Sequence, residues 1–383
     1  MSGLLAGIAI LLLAIILWDV FETIILPRRV TRRFRVARLF YMSTWRPWRA
    51  VASSMKPGNR REAFLSYFGP LSLLLLFGVW AAGLILSFAL LHLATGSAIN
   101  VGGMPGERPG FWSDLYMSGT TFFTLGLGDV TPRTSIARFV TVIEAGLGFG
   151  FLALAISYLP VLYGAFSRRE VNISLLDARA GSPPTAAELL RRHTQPQSVL
   201  ALEQYLRDWE SWAAELMESH MSYPVLCYFR SQHNNQSWLA ALATMLDVSA
   251  VLVAFGQGAL RWQAKMTFAI SRHAVVDLAQ VLKCAPKAPK EPRLREGELG
   301  KLLKIAEAAG VPKCSQENVQ TLTELRAMYE PYIASLSDRL LMYVAPWSLD
   351  AKPKDNWRTS AWARISGERD ARVLEDGEEK EHF

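Results

Sequence analysis

The stretch TTFFTLGLGDVTP, residues 120–132, places two glycines one residue apart between a threonine-rich apolar segment and an aspartate. Glycine inside a helix or a strand costs about 0.5–1 kcal/mol relative to alanine, so this spacing needs a conformational reason. Glycines at alternate positions permit left-handed dihedrals, and successive carbonyls can then point in the same direction. A row of carbonyl oxygens facing one axis can replace the hydration shell of an ion. The spacing therefore indicates a backbone that could bind cations.

Three long apolar runs surround this stretch: Gly3–Leu26, Leu65–Leu93 and Phe139–Phe166. Each has the roughly 20 residues that a bilayer-spanning helix needs. No basic residue precedes the first run and no small-residue cleavage site follows it, so we interpret it as a span and not as a signal peptide. The segment 111–123, which leads into the glycines, has the length of a half-helix that enters the membrane and returns. Non-helical backbone at such a depth is tolerated only where protein buries it or where it lines a watery path.

The positive charge of the chain is concentrated between the first two runs. Residues 27–61 contain eleven lysines and arginines and no acid. Basic loops lie on the cytoplasmic side, which predicts an outside N-terminus, an outside segment 94–136 and a cytoplasmic chain after about residue 167. A multi-pass protein of the cell membrane is expected, with contacts from residues 28–61 to anionic lipids of the inner leaflet and none to nucleic acid.

The glycine stretch resembles the pore loop of potassium channels, usually written T-x-G-[YF]-G-D with threonines ahead and a proline shortly after. The bare pattern G-x-G is weak, because GLGFG at 146–150 and FGQG at 255–258 also contain it. Joined to the threonines, the aspartate and two flanking apolar runs, it is strong. The resemblance covers about residues 65–167.

The resemblance implies a candidate filter, which consists of Thr124, Leu125, Gly126, Leu127, Gly128 and Asp129. The carbonyls of the first four residues, with the Thr124 hydroxyl, would form stacked sites for the permeant potassium ion. Gly128 would turn the strand at the outer mouth, and Asp129 would hold the filter from behind. The chain holds one such loop and the family's pore needs four, which implies a homotetramer. No cofactor is expected besides the permeant ion.

The third apolar run would line the inner pore. Gly148 falls where the family has its hinge glycine, and Gly146 and Gly150 lie one turn apart on another face. A gating hinge and close helix packing are both open interpretations of these three glycines. The expected cavity wall is formed by Phe149, Leu152 and Ile156. Glu144 is costly inside a membrane unless it is paired, so we expect a partner behind the candidate filter.

Two departures from the family concern the support of the filter. Leu127 replaces the usual tyrosine or phenylalanine, and Tyr116 and Met117 stand where many members have two tryptophans. Because leucine cannot donate a hydrogen bond, we expect bracing by apolar packing alone and a weaker preference for potassium over sodium. A weakly selective cation channel, and a non-conducting signalling or scaffold protein with a channel-like module, remain alternatives.

Asp19 and Glu22 lie three residues apart, on one helical face near the inner end of the first run. Intramembrane carboxylates suggest function by default, here a proton or cation sensor beside the pore. The alternative is an anchor, in which they pair with Arg28, Arg29 or Arg32 at the inner interface.

The chain after residue 168 is predicted to be helical. The segment 238–255 is apolar apart from Asp247, and fits the central helix of a soluble bundle or a fourth span. A proline- and lysine-rich linker near 284–297 precedes helices at 298–309 and 317–344, the second kinked at Pro331. Residues 346–383 are polar and predict a disordered tail.

The cytoplasmic part shows no glycine-rich turn after a strand, so we assign no nucleotide-binding domain, and no paired nucleophile and base, so we expect no enzyme. His220, Cys227 and His233 match no known metal-ligand spacing, which argues against a transition-metal site. The three cysteines are predicted to be free thiols of a reducing compartment. The polar stretch YFRSQHNNQSW, residues 228–238, is either a hydrogen-bond network or a ligand pocket.

The sequence therefore predicts an all-α membrane protein: a tetrameric, potassium-channel-like pore module with a re-entrant pore helix, and a helical cytoplasmic domain. The expected segments are a first transmembrane helix (1–26), a basic interfacial segment (27–64), the pore module (65–167), the cytoplasmic domain (168–345) and the tail (346–383). The expected activity is passive, potassium-selective conduction. The gating stimulus cannot be read from the sequence.

Overall fold

The computed structural model describes residues 2–26, 35–101, 109–193, 198–233, 235–295, 297–308 and 316–349. The described chain forms two compact units. The first contains residues up to 55 and residues 63–164, and the second contains residues 56–62 and the described chain from 165 onward. The predicted tail and Cys314 fall largely or wholly outside the described residues.

Helices make up nearly all of the first unit. Its elements are α1 (Ser2–Val20) with a wide π-helical turn (Phe21–Ile25), α2 (Val36–Ser54), α3 (Asn59–Ser66, which begins in the second unit), α4 (Phe68–Ala94), α5 (Phe111–Phe122) and the start of α6 (Ser135–Ala180). Two short antiparallel strands, β1 (Ile99–Val101) and β2 (Val130–Pro132), pair with Ile99 opposite Pro132 and Val101 opposite Val130. The candidate filter lies between α5 and β2.

The core of the first unit forms where α1, α4, α5 and α6 meet. Its buried side chains include Ile16, Leu76, Trp80, Phe122 and Phe151. The helices approach closely at Gly83 of α4, where an added Cβ would lie 2.4 Å from the Ile16 side chain. In lipid the hydrophobic effect does not drive helices together, so close packing of this kind supplies van der Waals attraction between them.

The amphipathic helix α2 packs through aromatic side chains. Trp45 is buried against Phe68, with ring centroids 4.7 Å apart, and Trp48 stacks on Phe64 at 4.5 Å. Such aromatic contacts add about 0.5–1.5 kcal/mol each beyond the area that they bury. They fix the basic segment to the start of α4.

The second unit is a helical bundle. Its elements are the end of α6, then α7 (Ala186–Arg191), α8 (Ser198–Ser222), a 3-10 turn (Pro224–Tyr228), α9 (Trp238–Phe255), α10 (Gly258–Val281), α11 (Glu298–Ala308), α12 (Gln316–Ala327) and α13 (Glu330–Leu340). The prediction of one helix over 317–344, kinked at Pro331, is wrong, because the structure has two helices there. The chain does not kink at Pro331 but breaks before it, because Tyr329 leaves helical geometry and Pro331 lies in the first turn of α13, where its missing N–H is harmless.

Four helical segments are long and apolar enough to cross a membrane: Ser2–Ile25, Asn59–Ala94, Ser135–Ala180 and Trp238–Phe255. The fourth differs from the others, since 94% of it is buried inside the protein against 22%, 44% and 17% for the first three. Its neighbour α8 carries exposed charged side chains such as Arg207. We therefore describe α9 as the central helix of the second unit, buried by its neighbours, and not as a fourth span.

Candidate functional site

The candidate filter begins at the C-terminal end of α5, where hydrogen bonds fix its first residues. The Thr124 N–H donates to the Thr121 carbonyl at 3.0 Å, and the Leu125 N–H donates to the Thr120 carbonyl at 2.7 Å. Carbonyls in the last turn of a helix lack partners within the helix, and here the loop supplies them. The entry to the loop is thus anchored to α5.

Every second residue of the candidate filter from Thr124 to Gly128 has a left-handed backbone conformation. Positive φ angles occur at Thr124 (57°), Gly126 (55°) and Gly128 (82°). A non-glycine residue with positive φ is uncommon, so Thr124 is a strained position that the surrounding structure must hold. This alternation is the backbone geometry that the glycine spacing was expected to permit.

The candidate filter is exposed in a single chain. All residues from Phe123 to Asp129 are exposed, and the side chains of Leu125 and Leu127 are 62% and 64% accessible. An apolar loop between two membrane spans does not gain from this exposure. Leu127 also lacks extensive packing within its own chain, so any packing that braces it must come from elsewhere.

Two hydrogen bonds hold Asp129 at the C-terminal end of the candidate filter. The Tyr116 hydroxyl donates to Asp129 Oδ2 at 2.8 Å, and the Val130 N–H donates to Asp129 Oδ1 at 3.0 Å. The expectation of bracing by apolar packing alone is therefore wrong. Leu127 cannot donate a hydrogen bond, but the tyrosine on α5 reaches the aspartate directly.

The glycines of α6 differ in what surrounds them. A Cβ on Gly148 would lie 2.1 Å from the Phe122 carbonyl oxygen, whereas Gly146 and Gly150 meet nothing within 4 Å. Gly148 thus lets α6 approach the last residue of α5. The close contact explains one of the three glycines by packing, and a hinge at any of them stays a prediction.

An exposed apolar face follows Gly148 on α6. The expected cavity-wall residues Phe149 and Ile156 are 68% and 71% accessible, and Leu152 is half-buried. Phe149 and Ile156 are seven residues apart and so share one face of the helix. Pro160 also lies within α6, and its missing N–H leaves the carbonyl one turn earlier without its helical donor.

The intramembrane carboxylate of α6 has a partner on α4. Glu144 and His92 are 0% and 1% accessible, and Glu144 Oε2 lies 3.7 Å from His92 Nε2. Ser118 of α5 lies near the same carboxylate, without a hydrogen bond of normal geometry to it. An isolated carboxylate is costly in a membrane, and a partner of Glu144 behind the candidate filter stays a prediction.

The carboxylates of the first apolar run contact groups of α2 and α4 and the side chain of Arg35. Asp19 Oδ2 accepts hydrogen bonds from the Trp80 indole and from the Ala37 N–H, both at 2.9 Å. The second of these lies in the first turn of α2, where an anion is favoured by the helix dipole. Arg35 Nε lies 3.5 Å from Glu22 Oε2 and 3.9 Å from Asp19 Oδ1. The arginine partners that were expected, residues 28, 29 and 32, lie outside the described residues.

The end of α6 in the second unit is fixed by a buried arginine. Arg169 donates to the carbonyls of Leu226 and Phe229 at 3.0 and 3.1 Å, and its Nη1 lies 3.1 Å from His220 Nε2. Burial and the neighbouring guanidinium of Arg169 lower the pKa of His220 well below its usual value. His220 is therefore neutral and accepts from Arg169, which makes it part of a structural network.

The polar stretch 228–238 belongs to the same network. Arg230 lies 3.5 Å from Glu62 and donates to the Leu341 carbonyl, while the Ser231 hydroxyl donates to Glu170. Ser237 caps α9 by accepting from the Ala240 N–H. Of the two interpretations of this stretch, the hydrogen bonds favour the network.

Two residues of the site were missed by the sequence reasoning. Tyr116 was noted only as a departure from the tryptophan pair, although its hydroxyl could have been recognised as a donor at that position. His92 is the one titratable residue of α4, and an ionisable side chain in an apolar run is itself a signal. Neither distance could be derived from the sequence.

Comparisons with known proteins agree with this geometry. A family model described as ion channel matches residues 74–162, which include most of α4, α5, the candidate filter and the first part of α6. The resemblance drawn from the sequence is confirmed for this segment. The chain is also similar to the uncharacterized membrane protein YdjJ of Bacillus subtilis, with 24% identity over 258 residues, 67% of this chain and 72% of that protein. No solved structure matches the chain.

Proposed function

We propose that this membrane protein, which carries an ion channel domain at residues 74–162, is a passive cation channel that prefers potassium. The observation that carries the proposal is the backbone of the candidate filter, with positive φ at Thr124, Gly126 and Gly128. A loop in this conformation can turn successive carbonyls toward one axis, where their oxygens replace the water around a cation.

A homotetramer accounts for the exposure of the candidate filter. One chain supplies one strand of carbonyls, and a closed ring of carbonyls around an ion needs several copies. The exposed Leu125 and Leu127 and the apolar face with Phe149 and Ile156 are surfaces that neighbouring copies or the pore would use. We propose four copies around one axis, as the resemblance implies.

The orientation follows from the basic segment. Arg38, Arg46 and Arg49 lie on α2, whose tryptophans pack against the inner end of α4. Cytoplasmic loops are enriched in such residues, and each basic residue near an anionic leaflet contributes about 1 kcal/mol of attraction. We propose that α2 lies on the inner leaflet, that β1 and β2 lie outside, and that the second unit is cytoplasmic.

Potassium preference is proposed to be moderate. Tyr116 supports Asp129, but Leu127 makes no hydrogen bond through its side chain. A tenfold preference corresponds to about 1.4 kcal/mol, the order of one net hydrogen bond, so a partly braced filter can still discriminate.

Flux into liposomes that contain the purified chain tests conduction. The test variant is Gly126→Ala, which places a Cβ at positive φ, and the control is Gly78→Ala on α4, since both glycines have open space around them. A left-handed alanine costs about 1–2 kcal/mol in every copy. We expect potassium flux in wild type and in Gly78→Ala, and loss of most of it in Gly126→Ala. Equal flux in both variants, or none in wild type, would overturn the proposal.

A further inference from the structure

A cluster of buried polar side chains lies where α4, α5 and α6 contribute residues to one site. We infer that His92, Glu144 and Ser118, bordered by Asp114 and Ser97, form a hydrated proton-binding site inside the membrane. Its members come from α4, α5, α6 and the turn after α4. Proton binding at this site is a property that channel architecture alone does not require.

The distance between the imidazole and the carboxylate is too long for a direct hydrogen bond. His92 Nε2 and Glu144 Oε2 are 3.7 Å apart, which is longer than the 2.7–3.2 Å of a direct N–H···O bond. The Ser97 hydroxyl does bind Asp114 Oδ2 directly, at 2.6 Å. One edge of the cluster is therefore closed by a direct bond, whereas His92 and Glu144 at its centre make none to each other.

Six buried atoms of the cluster have no hydrogen-bond partner among the described residues. They are both ring nitrogens of His92, both carboxylate oxygens of Glu144, Ser118 Oγ and Asp114 Oδ1. A buried polar group left unpaired costs about 1–3 kcal/mol, and more when it is charged. Buried waters typically make about three hydrogen bonds to such groups. Water that bridges the imidazole, the carboxylate and the hydroxyl would satisfy them together.

Among the described residues, few charged side chains lie on the helices that form the cluster. His92 is the only titratable residue of α4, and Asp114 is the only charged residue of α5, whose Tyr116 is used by Asp129. On α6, Glu144 is the only carboxylate between residue 135 and residue 169, and the cation Arg138 is exposed and donates to the Pro132 carbonyl. The carboxylates of α1 lie elsewhere: Asp19 binds Trp80, which is twelve residues before His92 and so about 18 Å away along α4.

Keeping two carboxylates and one imidazole all charged in an apolar surrounding costs a large free energy. The cluster is therefore expected to hold at least one proton among its members, and water provides the path between them. A change in the number of bound protons alters the net charge of the cluster, and with it the electrostatic interactions that Ser118 and Asp114 of α5 make with His92 and Glu144. Since α5 anchors Thr124 and Leu125 at its end, the charge state of the site reaches the candidate filter.

The test uses the full chain in liposomes, with His92→Gln and Glu144→Gln as test variants and His273→Gln, an exposed histidine of α10, as control. Wild-type flux is expected to change about threefold or more between pH 5 and pH 8, the range in which histidine titrates. His92→Gln and Glu144→Gln should flatten this profile, and His273→Gln should keep it. An unchanged profile in both test variants would overturn the inference. This readout rests on the proposed function.

A second readout does not depend on conduction. Infrared difference spectra between low and high pH should contain a carboxylic C=O band in wild type that Glu144→Gln removes and His92→Gln shifts. A band in a wild type that does not conduct would keep the site and reject the proposed function. Spectra in which neither variant differs from wild type would reject the site, whatever the flux.

Discussion

The Tyr116 hydroxyl lies 2.8 Å from Asp129 Oδ2 and joins the body of α5 to the last residue of the candidate filter. The two residues are separated by the whole loop, which is otherwise exposed in a single chain. The loop is thus held at both ends: by the Thr120 and Thr121 carbonyls where it begins, and by Tyr116 where it ends. Both ends of the loop are therefore tied to α5.

Tyr116→Phe is expected to weaken selectivity. The substitution removes one hydrogen bond to a carboxylate and keeps the ring. We expect the preference for potassium over sodium to fall by up to about tenfold, since the outer end of the filter becomes softer. The control is Tyr67→Phe, at an exposed tyrosine beside α4. Relative permeability equal to wild type in Tyr116→Phe would show that this bond does not support the filter.

Gly148→Ala is expected to destabilise the first unit. Its Cβ would meet the Phe122 carbonyl oxygen at 2.1 Å, so α5 or α6 must shift. Overpacking of this kind costs about 1–3 kcal/mol. Gly150→Ala, which meets nothing within 4 Å, is the matched control. Thermal unfolding in detergent should separate the two variants, and equal midpoints would contradict the close contact.

The sequence predicted the helices and the loop of the candidate site, but not the side-chain contacts between them. The apolar runs predict α1, α4 and α6, because a span needs length and apolar side chains and nothing more. The glycine spacing likewise predicts the alternating backbone of residues 124–128. The Tyr116–Asp129 and His92–Glu144 pairs depend on how three helices pack, and no local pattern encodes that packing. The break before Pro331 shows the same limit, since the position of a proline in a helix depends on where the first turn begins.

The pH dependence of stability should reveal the neutral His220. The pKa of this histidine is lowered by burial and by Arg169, so the unfolded chain binds its proton first as the pH falls. The stabilisation is thus complete above about pH 6.5, and below it is lost at up to about 1.4 kcal/mol per pH unit. We expect the stability advantage of wild type over His220→Gln to shrink between pH 7.5 and pH 5.5.

His273→Gln, an exposed histidine paired with Asp277, is the control for that titration. Buried His193 has its pKa lowered in the same direction, by burial and despite its bond to Leu189, so it contributes equally to wild type and to His220→Gln. The comparison of the two proteins therefore isolates His220. A difference that does not change with pH would mean that His220 is not held neutral.

Thiol labelling tests the proposed orientation. In a Cys314→Ser background, the two remaining cysteines, Cys227 and Cys284, are buried. Arg133→Cys, between β2 and α6, should react with an impermeant reagent on intact cells, and Ser211→Cys on α8 should react only after permeabilisation. Labelling of Ser211→Cys on intact cells would contradict a cytoplasmic second unit.

Bi-ionic reversal potentials, with potassium on one side of a planar bilayer and sodium on the other, test the central claim most directly. The account predicts a current whose reversal potential favours potassium in wild type, and a larger preference or a blocked pore in Leu127→Tyr, because a tyrosine adds a hydroxyl to the filter support. A reversal potential at zero would mean that sodium passes as readily as potassium, and would contradict selective conduction through this filter. The absence of any current would contradict conduction itself.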